Sequence, residues 1–151
     1  MSTPALRLAP WLVALALATP GCGGGVRPVS ASAFEAEPVE QLDVDGIAID
    51  VIARGEGPAV EDGSVVKLYF RVLLPEGEAV DDNHDADPLS FVVGGSSGGV
   101  IEGLHLAAAG ARPGELRIAT IPPRLAYRGR RVGKIPGDAD LIFQLQIVAV
   151  K

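Results

Sequence analysis

The sequence predicts an α+β domain in which an antiparallel sheet wraps around one short helix. Several segments alternate apolar and polar residues with the period of a strand, only Ile101–Ala109 carries helical spacing, and the connections are rich in Gly and Pro. At 151 residues, 48% hydrophobic and 21% charged, the chain can bury one sizeable core but is too short for two ordinary domains.

The elements read in order as follows. Gly46–Ala53 sets Ile47, Ile49 and Val51 against Ala48, Asp50 and Ile52, then runs into the turn Gly55-Glu56-Gly57-Pro58. Ser64–Leu74 is the strongest strand, with Val66, Leu68, Phe70 and Val72 on a core face and Val65, Lys67, Tyr69 and Arg71 on a partly wet one. Pro75-Glu76-Gly77-Glu78 makes the next turn. Pro88–Val93 is a short strand with Leu89, Phe91 and Val93 on one side, and Gly94–Gly99 breaks regular structure. In the helix, Ile101, Leu104 and Ala108 share a stripe and Gly110 suits the C-terminal cap. Glu115–Ile121 and Asp140–Val150 complete the strands, the latter with Leu141, Phe143, Leu145 and Ile147 facing one way.

The N-terminus reads as an export signal. Arg7 precedes an apolar run, Leu8–Ala18, and then Thr19-Pro20-Gly21-Cys22. A bilayer-spanning helix needs about 20 apolar residues, and this run is shorter and contains Pro10. Gly21-Cys22 resembles the lipobox of bacterial lipoproteins, although Thr19 and Pro20 stand where that motif usually has Leu and a small residue. The resemblance implies removal of residues 1–21 and a lipid on Cys22, facing the periplasm or cell exterior. The rival reading is cleavage after Ala18, giving a soluble secreted protein. Cys22 is the single cysteine, so an internal disulfide is excluded. Residues 22–44, rich in Pro, Ser, Ala and Glu without sustained periodicity, read as a flexible tether, and residues 45–151 as the folded domain.

A net charge of -6 argues against general nucleic-acid binding, which depends on cations to neutralise phosphates, and points to protein partners. The charge is polarised along the chain. Arg112–Lys134 is basic apart from Glu115, whereas Glu35–Asp87 is strongly acidic. His84 among aspartates reads as part of a polar loop, since no second His or Cys completes a metal set there, and His105 as a surface or satisfied core residue.

Val100-Ile101-Glu102-Gly103-Leu104, then Gly110 and Gly114, Ile121-Pro122-Pro123-Arg124-Leu125-Ala126-Tyr127, and Ile135-Pro136 followed by Ala139, Leu141 and Phe143, together resemble the FKBP-type prolyl isomerases in both motif and order. The likeness covers about Asp45 to Lys151, essentially the whole folded part. It implies an antiparallel half-barrel gripping a short helix, with a shallow apolar pocket between them. Residue by residue, it implies catalytic or orienting roles for Asp81, Ile101, Tyr127 and Phe143. It implies substrate contacts from Phe70, Val80, Leu89, Phe91, Val100, Leu104 and Ile135, with Leu104 as the floor. It also implies proline-containing polypeptide clients and no cofactor or metal. A monomer is expected, because the helical N-terminal extension through which some exported relatives dimerise has no counterpart in residues 22–44.

Such a pocket suits the chemistry. Rotation about an X–Pro amide crosses a barrier of about 18–20 kcal/mol because resonance is lost in the twisted state. An apolar site favours the twisted, less polar amide, while fixed donors hold the flanking carbonyls. The chain departs from the family pattern where Phe70-Arg71-Val72 replaces Tyr-x-Gly, Val80 replaces Phe, Leu89 replaces an aromatic residue and Arg128 replaces Gly. A less aromatic pocket predicts weaker catalysis and poor macrolide affinity. The rival from another class is a membrane-tethered binding module that kept the fold and lost turnover.

Overall fold

β-Branched residues alternating with polar ones along long stretches give the chain an antiparallel sheet. The computed structural model describes residues 26–95 and 99–151, so Cys22 and the export-signal reading lie outside the described residues. The strands are β1 (Glu40–Val44), β2 (Ile47–Ala53), β3 (Val65–Leu73), β4 (Ala79–Asp82), β5 (Leu89–Val92), β6 (Leu116–Ile121) and β7 (Leu141–Val150), with one helix, α1 (Glu102–Ala108), between β5 and β6. They form a seven-stranded sheet in the order β1-β2-β6-β7-β3-β4, with β5 also pairing to β3. Every pairing is antiparallel.

β7 is the centre of the sheet, flanked by β3 and β6, and its alternation is the most regular: Leu141, Phe143, Leu145 and Ile147 are all buried in the core. Those side chains meet Ile47, Ile49 and Val51 of β2, Val66 and Leu68 of β3, and Leu104, Ala107 and Ala108 of α1 in one cluster. Gly103 explains how closely the helix sits. A methyl group there would run into the Ile121 side chain and lie 3.0 Å from the Leu125 carbonyl. Only glycine lets α1 seat on β6 and the turn after it.

Two strands escaped the sequence reading. β4 is short, mostly exposed and carries Asp81 and Asp82, so it has little hydrophobic alternation to display. β1 falls inside the stretch read as a tether, and its pattern of exposed Glu40, Gln41 and Asp43 is that of an edge strand. The domain therefore begins well before residue 45. Upstream of β1, residues 31–34 form a 3₁₀ turn with Phe34 buried, packing on β6.

This N-terminal strap covers the back of the sheet. Gln146 accepts a 2.7 Å hydrogen bond from the Val29 N–H and donates one of 3.0 Å to the Arg27 carbonyl. The Tyr69 hydroxyl donates to the Val26 carbonyl at 3.2 Å. Tyr69 and Gln146, paired across β3 and β7, are each only 7% exposed. The face expected to be partly wet is closed at these positions by chain expected to be flexible.

Candidate active site

The motif Ile121-Pro122-Pro123-Arg124-Leu125-Ala126-Tyr127 folds as a tight turn for local reasons. Pro123 opens a 3₁₀ turn over Pro123–Leu125, where a missing N–H costs nothing. The Pro122 carbonyl accepts from Leu125 N–H at 3.0 Å, and the Pro123 carbonyl accepts from Ala126 at 3.0 Å and Arg128 at 2.9 Å. Leu125 is buried against α1, and the turn then delivers Tyr127 to a cavity.

That cavity, of about 220 Å³, lies between the sheet and the start of α1. Phe70 and Val72 enter from β3, Asp81 from β4, Leu89 from β5 and Phe143 from β7. Val100, Ile101 and Leu104 come from the entry to α1 and the helix itself, and Tyr127 and Ile135 from the loop before β7. The Phe70 and Phe143 rings lie 6.3 Å apart at a tilt of 43°. Leu104 is 3% exposed and closes the bottom. Ile101 caps α1 with extended backbone (φ -61°, ψ 147°), and its N–H donates to no backbone carbonyl among the described residues.

Two polar groups stand out on this wall. Burial, and secondarily the negative charge of Asp81, push the Tyr127 phenol above its ordinary value of 10.0, so it keeps its proton throughout the neutral range. Tyr127 can thus donate a hydrogen bond at any physiological pH. Asp81 is exposed where it meets the cavity.

The structure brings together nine of the expected positions: Phe70, Asp81, Leu89, Val100, Ile101, Leu104, Tyr127, Ile135 and Phe143. Val80 and Phe91 do not line the cavity. Val80 is the extra residue where the β3–β4 register shifts, with Asp81 facing Val72 and Ala79 facing Leu73, and it packs half-buried beside the core. Phe91 is buried, its ring edge-on to His105 at 5.2 Å, which makes it core beneath α1. His105 itself accepts a hydrogen bond from Gly94 N–H at 3.2 Å. His84 pairs with Arg71 at 3.2 Å and packs edge-on to Tyr69, and no metal-ligating cluster occurs among the described residues.

Asn83 is the positioning residue that the sequence concealed. β5 pairs with the first half of β3 and β4 with the last part, leaving a gap at Phe70. Asn83 fills it: its Oδ1 accepts from Phe70 N–H at 2.7 Å, its own N–H donates to Phe70 O at 3.2 Å, and its Nδ2 donates to Leu68 O at 3.2 Å. A side-chain amide thereby replaces strand pairing beside a cavity residue. Nothing in the local sequence distinguishes this asparagine from one in an ordinary polar turn.

Residues 57–148 match the profile of the FKBP-type peptidyl-prolyl cis-trans isomerases. The chain belongs to that family. Over 111 residues it is 37% identical to the FK506-binding protein 1A of Neurospora crassa, covering 72% of this chain and 91% of that one. It is 35% identical over 109 residues to FK506-binding protein 4 of Aspergillus oryzae, where the match covers 72% of this chain and 23% of the relative. Among solved structures, FkpA from Escherichia coli superposes with a TM-score of 0.66 at 27% identity, over 80% of this chain and 58% of that one. The three-domain wheat FKBP73 gives 0.68 at 25% identity, over 74% and 50%. The matched span contains the sequence motifs together with β4.

Proposed function

We propose that this FKBP domain is a peptidyl-prolyl cis-trans isomerase, acting on Xaa-Pro bonds of extracytoplasmic proteins while tethered to a membrane through Cys22. The observation that carries the isomerase reading is the convergence of an apolar cavity, a backbone N–H at Ile101 and a protonated Tyr127 hydroxyl within one site. The prolyl ring would sit over Leu104 between Phe70, Phe143 and Ile135, where the twisted amide loses little solvation and the planar one loses more. The Ile101 N–H and Tyr127 O–H would hold the flanking carbonyls while the bond turns. No covalent step is required.

Export and tethering are supported by the sequence alone: an apolar run after Arg7 and one cysteine placed directly behind it. No helix among the described residues is long and apolar enough to cross a membrane, so a lipid would supply the attachment.

One observation favours a second reading. Val72 lines the cavity, taking space and removing backbone freedom where the family pattern has glycine, which fits a domain that holds proline segments with little turnover. A protease-free isomerisation assay on Xaa-Pro peptides decides between the two. Acceleration by residues 26–151, weakened in Tyr127→Phe and Leu104→Ala, supports the enzyme. Rates equal to buffer, with a normal circular dichroism spectrum, leave the binding module. For the tether, Cys22→Ala is expected to move the protein from the membrane to the soluble fraction, and an unchanged distribution would refute lipid attachment there.

A further inference from the structure

Two segments adjoin the cavity, each flanked at both ends by a residue that lines it. Residues 82–88 run from Asp81 to Leu89 and carry exposed Asp82, Asp85 and Asp87. Residues 128–134 run from Tyr127 to Ile135 and carry exposed Arg128, Arg130, Arg131 and Lys134. One rim is therefore anionic and the other cationic, on a chain whose net charge is -6.

The backbones of both loops are pinned, so the charges project from fixed attachment points. In the basic loop, Val132 and Ile135 exchange backbone hydrogen bonds of 3.0 and 2.8 Å, and Arg130 N–H donates to Tyr127 O at 3.1 Å. In the acidic loop, Asn83 clamps the chain to Phe70, and Ala86 N–H donates to Asn83 O at 3.1 Å. Arg71 lies beside this loop, half-buried and engaged with His84. Arg128 is compensated by Glu102 at 2.8 Å. Arg130, Arg131 and Lys134 form no ion pair with any acid among the described residues. A polypeptide that crossed the cavity from one loop to the other would have the charges on its two flanks read separately.

We propose that the site selects proline segments of asymmetric charge, with acidic residues on the flank crossing the 128–134 loop and neutral or basic residues on the flank crossing the 82–88 loop. This rests on the isomerase reading and specifies its substrate class. The test uses the full chain after export, with peptides sharing one Ala-Leu-Pro-Phe core. The flanks are neutral, acidic-then-basic, basic-then-acidic, acidic on both sides or basic on both sides. At low ionic strength one asymmetric peptide is expected to exceed its reverse about tenfold in kcat/KM, with the ratio falling to about one in 1 M salt. The same collapse is expected in an Arg130→Glu, Arg131→Glu, Lys134→Glu variant, whose circular dichroism and Tm report its fold.

Equal kcat/KM for all five peptides at low salt overturns the proposal, as does a preference that survives the triple substitution. Failure to accelerate even the neutral peptide removes the isomerase reading. Dissociation constants of the same peptides then judge the rims: a tenfold ratio between the two polarities supports them, and equal values refute them. Cosedimentation with phosphatidylglycerol vesicles that is lost in the triple variant, together with equal turnover of all peptides, assigns the cations to a lipid surface and also overturns the proposal.

Discussion

The two faces of the sheet are built from the same strands and are closed in opposite ways. In front, Phe70 of β3 and Phe143 of β7 meet a helix and two loops and leave a cavity. Behind, Tyr69 of β3 and Gln146 of β7 meet the strap and are sealed by hydrogen bonds to the backbone of Val26, Arg27 and Val29. A strand's period of two puts Tyr69 and Phe70 on opposite sides, so the back can be filled for stability while the front stays open for binding. Stability and function are thus divided between faces, and each can be perturbed while the other is watched.

The largest effect is expected from removing residues 26–39. That deletion exposes the surface Phe34 covers and strips partners from Tyr69 and Gln146, at a cost of about 3–5 kcal/mol. Denaturant unfolding should show it, while kcat/KM per folded molecule stays within twofold. A cavity that loses turnover in proportion would break the division. Gly103→Val attacks the front. The added side chain collides with Ile121 and the Leu125 carbonyl, with an expected cost of about 1–3 kcal/mol and a fall in turnover, because α1 and the Tyr127 turn are pushed apart.

Tyr127→Phe should leave Tm unchanged and lower kcat/KM about tenfold, the worth of one hydrogen bond at a site where no full charge develops. Its pH dependence follows from the direction of the shift. The phenol's affinity for its proton is raised in the folded state, so its donor survives up to and beyond pH 10 and the rate should be flat from neutrality to that point. Whatever stability it contributes is fully present below the unfolded value and is lost only as pH climbs through the raised one. A rate falling between pH 7 and 9 would contradict this. The smallest effect is expected at Arg128, which holds φ 53° where the family pattern has glycine. Arg128→Gly relieves that strain and removes an exposed pair with Glu102, so the two changes should cancel to within about 1 kcal/mol.

The front was legible in the sequence because its residues sit in dense motifs. Val100–Leu104 and Ile121–Tyr127 combine turn-specific prolines, a glycine at a close approach and the apolar side chains that line the cavity, all within short spans. Val80 and Phe91 were misplaced for a different reason. Matching a position to a family's pocket does not say what its side chain packs on: Val80 sits at the β4 register shift and packs beside the core, and α1 covers Phe91. The back was illegible because its closure depends on polar groups pairing over long sequence separations, Gln146 with Arg27 and Val29, and Tyr69 with Val26. Composition alone reads Pro, Ser and Glu as loose chain. Nor could local pattern expose Asn83, whose role exists only because β4 and β5 leave a gap on β3.

The strap also sets an orientation. Tyr69 grips the chain at Val26, on the side of the sheet away from the cavity, and the four residues from Cys22 to Val26 reach at most about 14 Å when fully extended. The proposed tether on Cys22 would thus be held within that reach of Val26, on the side of the sheet away from the mouth, and would not compete with a client for the same space.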